Sequence, residues 1–123
     1  MQDRQNDDIP VDLENVLTAL DNDTEILYKI VLQLEKTSRR QLSELQQEIE
    51  GGNCENIRRI GHTLKGSLAT FGAAGAVALA RSLESVACRG DLSRVQAIHD
   101  DLRDEIARIM AYFARPDWPK DWL

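Results

Sequence analysis

The chain has 123 residues, enough for one domain with a real core, since a domain of this size buries more than about 60% of the surface its unfolded chain exposes. Hydrophobic residues make up 42% and charged residues 29%, the balance of an ordinary soluble globular protein, and the scarcity of aromatics (5%) leaves Leu, Ala and Ile to fill a helical core. The formal net charge of −6, with no basic stripe, argues against a nucleic-acid partner; a polar, acidic start and the lack of any long apolar run give no expectation of a signal peptide or membrane insertion.

Residues 1–8 read as a disordered lead or the cut end of a longer protein. Asp12 can cap a short helix from Leu13 to Leu20, with Val16, Leu17 and Leu20 on one face. Asp21-Asn22-Asp23 breaks that helix and caps the next, from about Thr24 to Glu50, whose stripe is Leu27, Ile30, Val31, Leu34, Leu42, Leu45 and Ile49. Ser38 stands in that stripe where an apolar residue is due, and Gly51-Gly52 ends the helix.

Asn53 caps a third helix running to about Phe71, with Ile57, Ile60, Leu64, Leu68 and Phe71 on one narrow stripe and Gly72 as its left-handed terminator. A fourth spans about Ala74 to Arg89, with Leu79, Leu83 and Val86 inward and alanines that permit close helix approach. Gly90-Asp91 is a stop followed by a cap. The fifth runs from about Leu92 to Ala114 on Val95, Ile98, Leu102, Ile106, Ile109 and Phe113, and Pro116 closes it. No strand pattern interrupts the series. Short joints between long helices force antiparallel neighbours. The expected fold is all-α: an antiparallel up-down four-helix bundle with a short additional N-terminal helix across one end. It occupies residues 9–115, and a C-terminal extension over 116–123, bearing Trp118 and Trp122, is expected to fold back on it.

Cys54 and Cys88 lie far apart without metal-ligand spacing and read as reduced thiols of a cytoplasmic protein. His99, among Asp100, Asp101 and Asp104, reads as a surface or boundary histidine.

His62 is different. With Ile57 at zero, it falls at about 140° on the helical wheel, roughly opposite the core, flanked by Lys65 at about 80° and Gly66 at about 180°. Arg58 lies one turn earlier and Ala69 continues the face. Solvated helix faces normally carry long helix-forming side chains, and Gly costs about 0.8–1.0 kcal/mol relative to Ala in a helix interior. A face that keeps glycine beside an exposed imidazole suits close approach of something to that imidazole. A neutral imidazole nitrogen is a nucleophile near pH 7 and can accept a phosphoryl group. Lys65 can then stabilise the added negative charge, and Gly66 clears the approach. No second histidine stands four residues from His62, so no zinc site is expected.

The run His62-Thr63-Leu64-Lys65-Gly66-Ser67, followed by Phe71-Gly72-Ala73, resembles the His-x-x-Lys-Gly signature of histidine-containing phosphotransfer (HPt) domains, and the resemblance extends from about Val11 to Arg115. It implies that His62 is the phosphorylated residue and that Lys65 and Gly66 are the motif's companion pair. It further implies a relay between aspartates of response-regulator receiver domains, fed by a hybrid sensor histidine kinase. The chain itself is then a monomeric phosphoryl carrier, not a kinase, needing no cofactor of its own, with Mg²⁺ held by the partner receiver. Many members place a glutamine on the next helix near the histidine; the corresponding residue here is Glu84, which puts an anion beside the future phosphate or merely faces solvent. Gly61 replaces the alanine common before the histidine, a change expected to loosen the helix.

Arg58, Arg59 and Lys65, with Arg81, form a local basic patch suited to an acidic receiver pocket, so Arg58, Arg59, Ala69 and Glu84 are the candidate partner-binding residues. The competing reading is a non-catalytic helical module that binds a receiver or kinase, for which an intact His62, Lys65 and Gly66 set is unnecessary. An autokinase dimer is disfavoured, since no ATP-binding region is present.

Overall fold

The computed structural model describes residues 9–114, all of its regular structure helical: α1 (Leu13–Ala19), α2 (Thr24–Gly51), α3 (Cys54–Ala69), α4 (Ala74–Val86) and α5 (Leu92–Phe113). Expectations for the lead at 1–8 and the extension at 116–123 fall outside these residues. The caps are those the sequence offers. Asp12 accepts from the Asn15 amide, Asp23 from Glu25 and Ile26, Asn53 from Asn56, and Asp91 from Arg94. α4 starts at Ala73 without a side-chain cap.

The four long helices close a ring in which α2 packs on α3, α3 on α4, α4 on α5, and α5 back on α2. Leu27 and Leu45 of α2, Ile57, Leu64 and Leu68 of α3, Leu83 of α4, and Val95, Leu102 and Ile109 of α5 fill the centre, all completely shielded from solvent. Ala76 and Ala80 are buried on α4 and let it approach closely, while Leu79, expected inward, is half-buried. α1 lies across one end, burying Val16 and Leu17. Its entry is fixed by the Asp12 amide, which donates to the Phe71 carbonyl at 3.2 Å. Gly72 turns there at φ +60°, and a Cβ on it would stand 2.6 Å from the Asp12 Cβ, so this turn requires glycine twice over.

The interior is not wholly apolar. Ser38 is buried and donates to the Glu35 carbonyl, and Gln41, also buried, has an Oε1 with no hydrogen-bond partner. His99 is buried, not at the surface. It sits one turn from both Val95 and Leu102, so it faces α2, and its Nε2 lies 3.2 Å from the Leu42 carbonyl it bonds. Its Nδ1 lies 3.0 Å from Asp100 Oδ1. That contact, then a bond from Gln96, holds the Asp100 carboxyl below its ordinary 3.8. Gln46 and Gln96 exchange amide bonds across the same α2–α5 seam.

The cysteines also depart from expectation: Cys54 and Cys88 form a disulfide, their Cα atoms 5.0 Å apart. The reason is topological. α3 and α4 are antiparallel, so the first residue of α3 meets the segment just beyond the end of α4. Separation along the chain said nothing about separation in space.

Candidate functional site

α3 buries Ile57, Ile60, Leu64, Leu68 and the following Phe71, and that packing turns His62 outward, its side chain 67% exposed. Gly66 and Ala69 share the exposed side. A Cβ added at Gly66 would meet nothing within 4 Å, so the space beside the imidazole is open. Gly61 behaves in the opposite way. It is buried, and a Cβ there would stand 3.3 Å from the Glu84 amide nitrogen and from a Leu83 methyl, and 3.4 Å from the Ala80 carbonyl. Gly61 lets α4 lie directly against the turn that bears His62.

That approach delivers Glu84. Its Oε2 stands 2.9 Å from His62 Nδ1 and its Oε1 accepts from Lys65 Nζ at 2.7 Å. Glu84 therefore neither faces solvent nor merely opposes a phosphate. It spans the side chains of His62 and Lys65 and, as acceptor, selects the tautomer with hydrogen on Nδ1, which leaves the lone pair on Nε2. The Lys65 bond, then the His62 bond, holds the Glu84 carboxyl below its ordinary 4.5. For a depressed carboxylate the stabilising contribution is complete above the ordinary value and disappears as pH falls through the depressed one. A ¹³C titration of Glu84 is accordingly expected to show its midpoint below 4.5, with the His62 ring signals responding in the same window. A midpoint at or above 4.5 contradicts the bridge.

The basic patch is smaller than the sequence suggested. Arg58 is paired with Glu55 at 2.8 Å and Lys65 with Glu84, whereas Arg59 and Arg81 are exposed and enter no ion pair among the described residues. No group of three or more His, Cys, Asp or Glu is placed to hold a metal among those residues, and no helix there is long and apolar enough to cross a membrane.

The structure thus brings together His62, Lys65, Gly66 and Glu84, with Ala69 beside them. It leaves Arg58 engaged by its neighbour. Sequence reasoning missed the packing role of Gly61 and the bridging role of Glu84. A signal for the second was available: His62 and Glu84 are equidistant from Ala73 in the α3–α4 turn, which places them level in an antiparallel pair.

Comparisons with known proteins agree with this geometry. A family description, Hpt domain, matches residues 29–112. The fold is similar to the crystal structure of histidine-containing phosphotransfer protein B (HptB) from Pseudomonas aeruginosa PAO1, with a TM-score of 0.76 and 26% sequence identity over 85% of this chain and 90% of that one. A search of curated proteins returns no match. The chain belongs to the Hpt domain family, whose work is histidine phosphotransfer in two-component phosphorelays.

Proposed function

We propose that His62 is the phosphoacceptor and that the protein carries a phosphoryl group between aspartates of receiver domains, with a hybrid sensor kinase upstream. The observation that carries this is the exposed imidazole whose Nδ1 is held by Glu84, at 2.9 Å, beside the open space over Gly66. The Nε2 lone pair attacks the phosphorus of a receiver's acyl phosphate in line. The phosphorus–oxygen bond to the aspartate breaks, and the electron pair leaves with the aspartate carboxylate. The ring becomes cationic as the new N–P bond forms, and Glu84 stabilises the Nδ1–H it already accepts. Lys65, released in part from Glu84, can turn to the arriving phosphoryl oxygens as a mobile point charge. Transfer onward is the reverse attack by a second receiver's aspartate.

In this reading the protein holds no nucleotide, has no kinase activity of its own, works as a monomer in the cytoplasm, and leaves Mg²⁺ to the receiver. The test is incubation with a phosphorylated receiver. Label should appear on this chain as an acid-labile, alkali-stable adduct on the peptide containing His62. Label on His99, or stable receiver binding without any label, overturns the assignment; the latter outcome is the signature of a binding-only module.

Charge sets the encounter. Arg59→Glu with Arg81→Glu should slow transfer more at low salt, because the Debye length shrinks from about 30 Å at 0.01 M to about 8 Å at 0.15 M. Equal slowing at both salts, measured by rapid-quench transfer, means these arginines do not steer.

A further inference from the structure

We propose that the Cys54–Cys88 disulfide is a redox-sensitive clasp on the phosphoacceptor site, opened by dithiol reductants. The inference rests on the assignment of His62 and on a cytoplasmic setting, where disulfides that do form are usually transient and redox-sensing. The bond closes a loop with a sequence separation of 34, and that loop contains His62, Lys65, Gly66 and Glu84. Cys88 lies one turn beyond Glu84, and Cys54 two turns before His62.

The clasp sits at the end of the α3–α4 pair, next to the last turn of α4. α4 ends at Val86, and the chain then runs through exposed Cys88 and Arg89 into a turn at Gly90, φ +85°. Between the disulfide and Glu84, Val86 and Ala87 are buried in the core, and from Ala80 to Glu84 the backbone of α4 rests on Gly61, which offers no side chain on the α3 side. The distance from Glu84 to His62 therefore depends on α4 keeping its place to its last turn, and the covalent bond secures that turn.

The bond is open to exchange. Cys88 is exposed and Cys54 half-buried. A reductant thiolate attacks Cys88 Sγ, forming a mixed disulfide, and the Sγ–Sγ electron pair departs on Cys54 as thiolate. Cys54 is the first residue of α3, where the positive end of the helix dipole favours an anion. The reductant's second thiolate then attacks its own sulfur in the mixed disulfide. Cys88 is released as thiolate and the reductant leaves as its disulfide. Two electrons pass to the protein, and protons from solvent complete the two thiols. With the clasp open, the last turn of α4 can fray and Glu84 no longer holds the Nδ1 side of His62 fixed.

The experiment uses the full chain, oxidised, reduced with dithiothreitol, and as Cys54→Ser/Cys88→Ser, with a phosphorylated receiver lacking cysteine. Glutathione buffers of varied ratio report whether the bond equilibrates, and circular dichroism reports whether the reduced protein stays folded. The expected result is a folded reduced protein that accepts label about threefold or more slowly, in line with the steep cost of small misplacements. Reoxidation restores the rate, and the double variant is slow and indifferent to redox. A bond that resists millimolar dithiothreitol, a reduced protein that unfolds, or equal rates in both folded states overturns the clasp. If the oxidised protein accepts no label, the His62 assignment falls instead. The clasp is then still decided by the Glu84 titration, which must move back toward its ordinary value on reduction and overturns the proposal if it stays.

Discussion

His62→Ala is expected to reduce phosphoryl acceptance to background while leaving the fold's stability within about 0.5 kcal/mol of the parent. The side chain is 67% exposed, and its hydrogen-bond contact is with Glu84, which retains Lys65 when the imidazole is gone. No cavity forms, because the buried stripe of α3 lies on the opposite side. No second imidazole is accessible to take its place: His99, the other histidine, is buried against α2. Urea unfolding and label transfer from a phosphorylated receiver measure the two halves separately. Receiver binding should largely persist. Residual transfer in His62→Ala would mean a different acceptor, and a large loss of stability would mean that the Glu84 bridge is structural first.

The two glycines of α3 should respond in opposite directions to the same substitution. Gly66→Leu places a good helix former where an added Cβ meets nothing, so the domain should gain up to about 0.8 kcal/mol. The new side chain stands in the space beside the imidazole and blocks a receiver's approach, so transfer should nearly cease in a more stable protein. Gly61→Leu meets the Ala80–Glu84 backbone from its Cβ outward and must drive α4 away, at a cost of about 1–3 kcal/mol or more. It should also slow transfer, by carrying Glu84 off His62. Thermal unfolding separates the pair: a stabilised Gly66→Leu beside a destabilised Gly61→Leu is expected, and destabilisation of both would remove the argument that Gly66 is open for docking.

Helix order, caps and stripes were legible in the sequence because they are local. Asp12, Asn53 and Asp91 cap by bonding residues three along the chain, and apolar positions such as Leu64 and Leu68 repeat at the period of the helix itself. The histidine face was legible for the same reason, as a departure from that period. What escaped belongs to relations between helices. The wheel sets Gly61, at about 40° from Ile57 and beside the buried stripe, apart from Gly66 at about 180°, but it does not say that α4 is the element that lies against Gly61. Glu84 was located but not given its role, because a carboxylate near a phosphoryl site reads as repulsion until its two oxygens are seen on His62 and Lys65. Cys54 and Cys88 were judged by their separation along the chain, although both are equidistant from Phe71 and so are brought level by the same hairpin. His99 was judged by its acidic sequence neighbours, whereas its burial follows from its turn-by-turn position beside Val95 and Leu102.

Phe71 gathers both ends of the described chain. The Asp12 amide bonds its carbonyl, and the Phe113 ring stands edge-on to its own, with centroids 5.9 Å apart. A tether or fused domain at either end therefore leaves the bundle from a single pole, about 13 Å along the α3 axis from His62. Two such attachments share one exit and crowd each other before they crowd whatever docks at the imidazole. The same nearness makes a short linker from residue 114 back to residue 9 sterically undemanding, so the chain could be reopened at the exposed Gly51-Gly52 joint with the order of its helices around the ring unchanged.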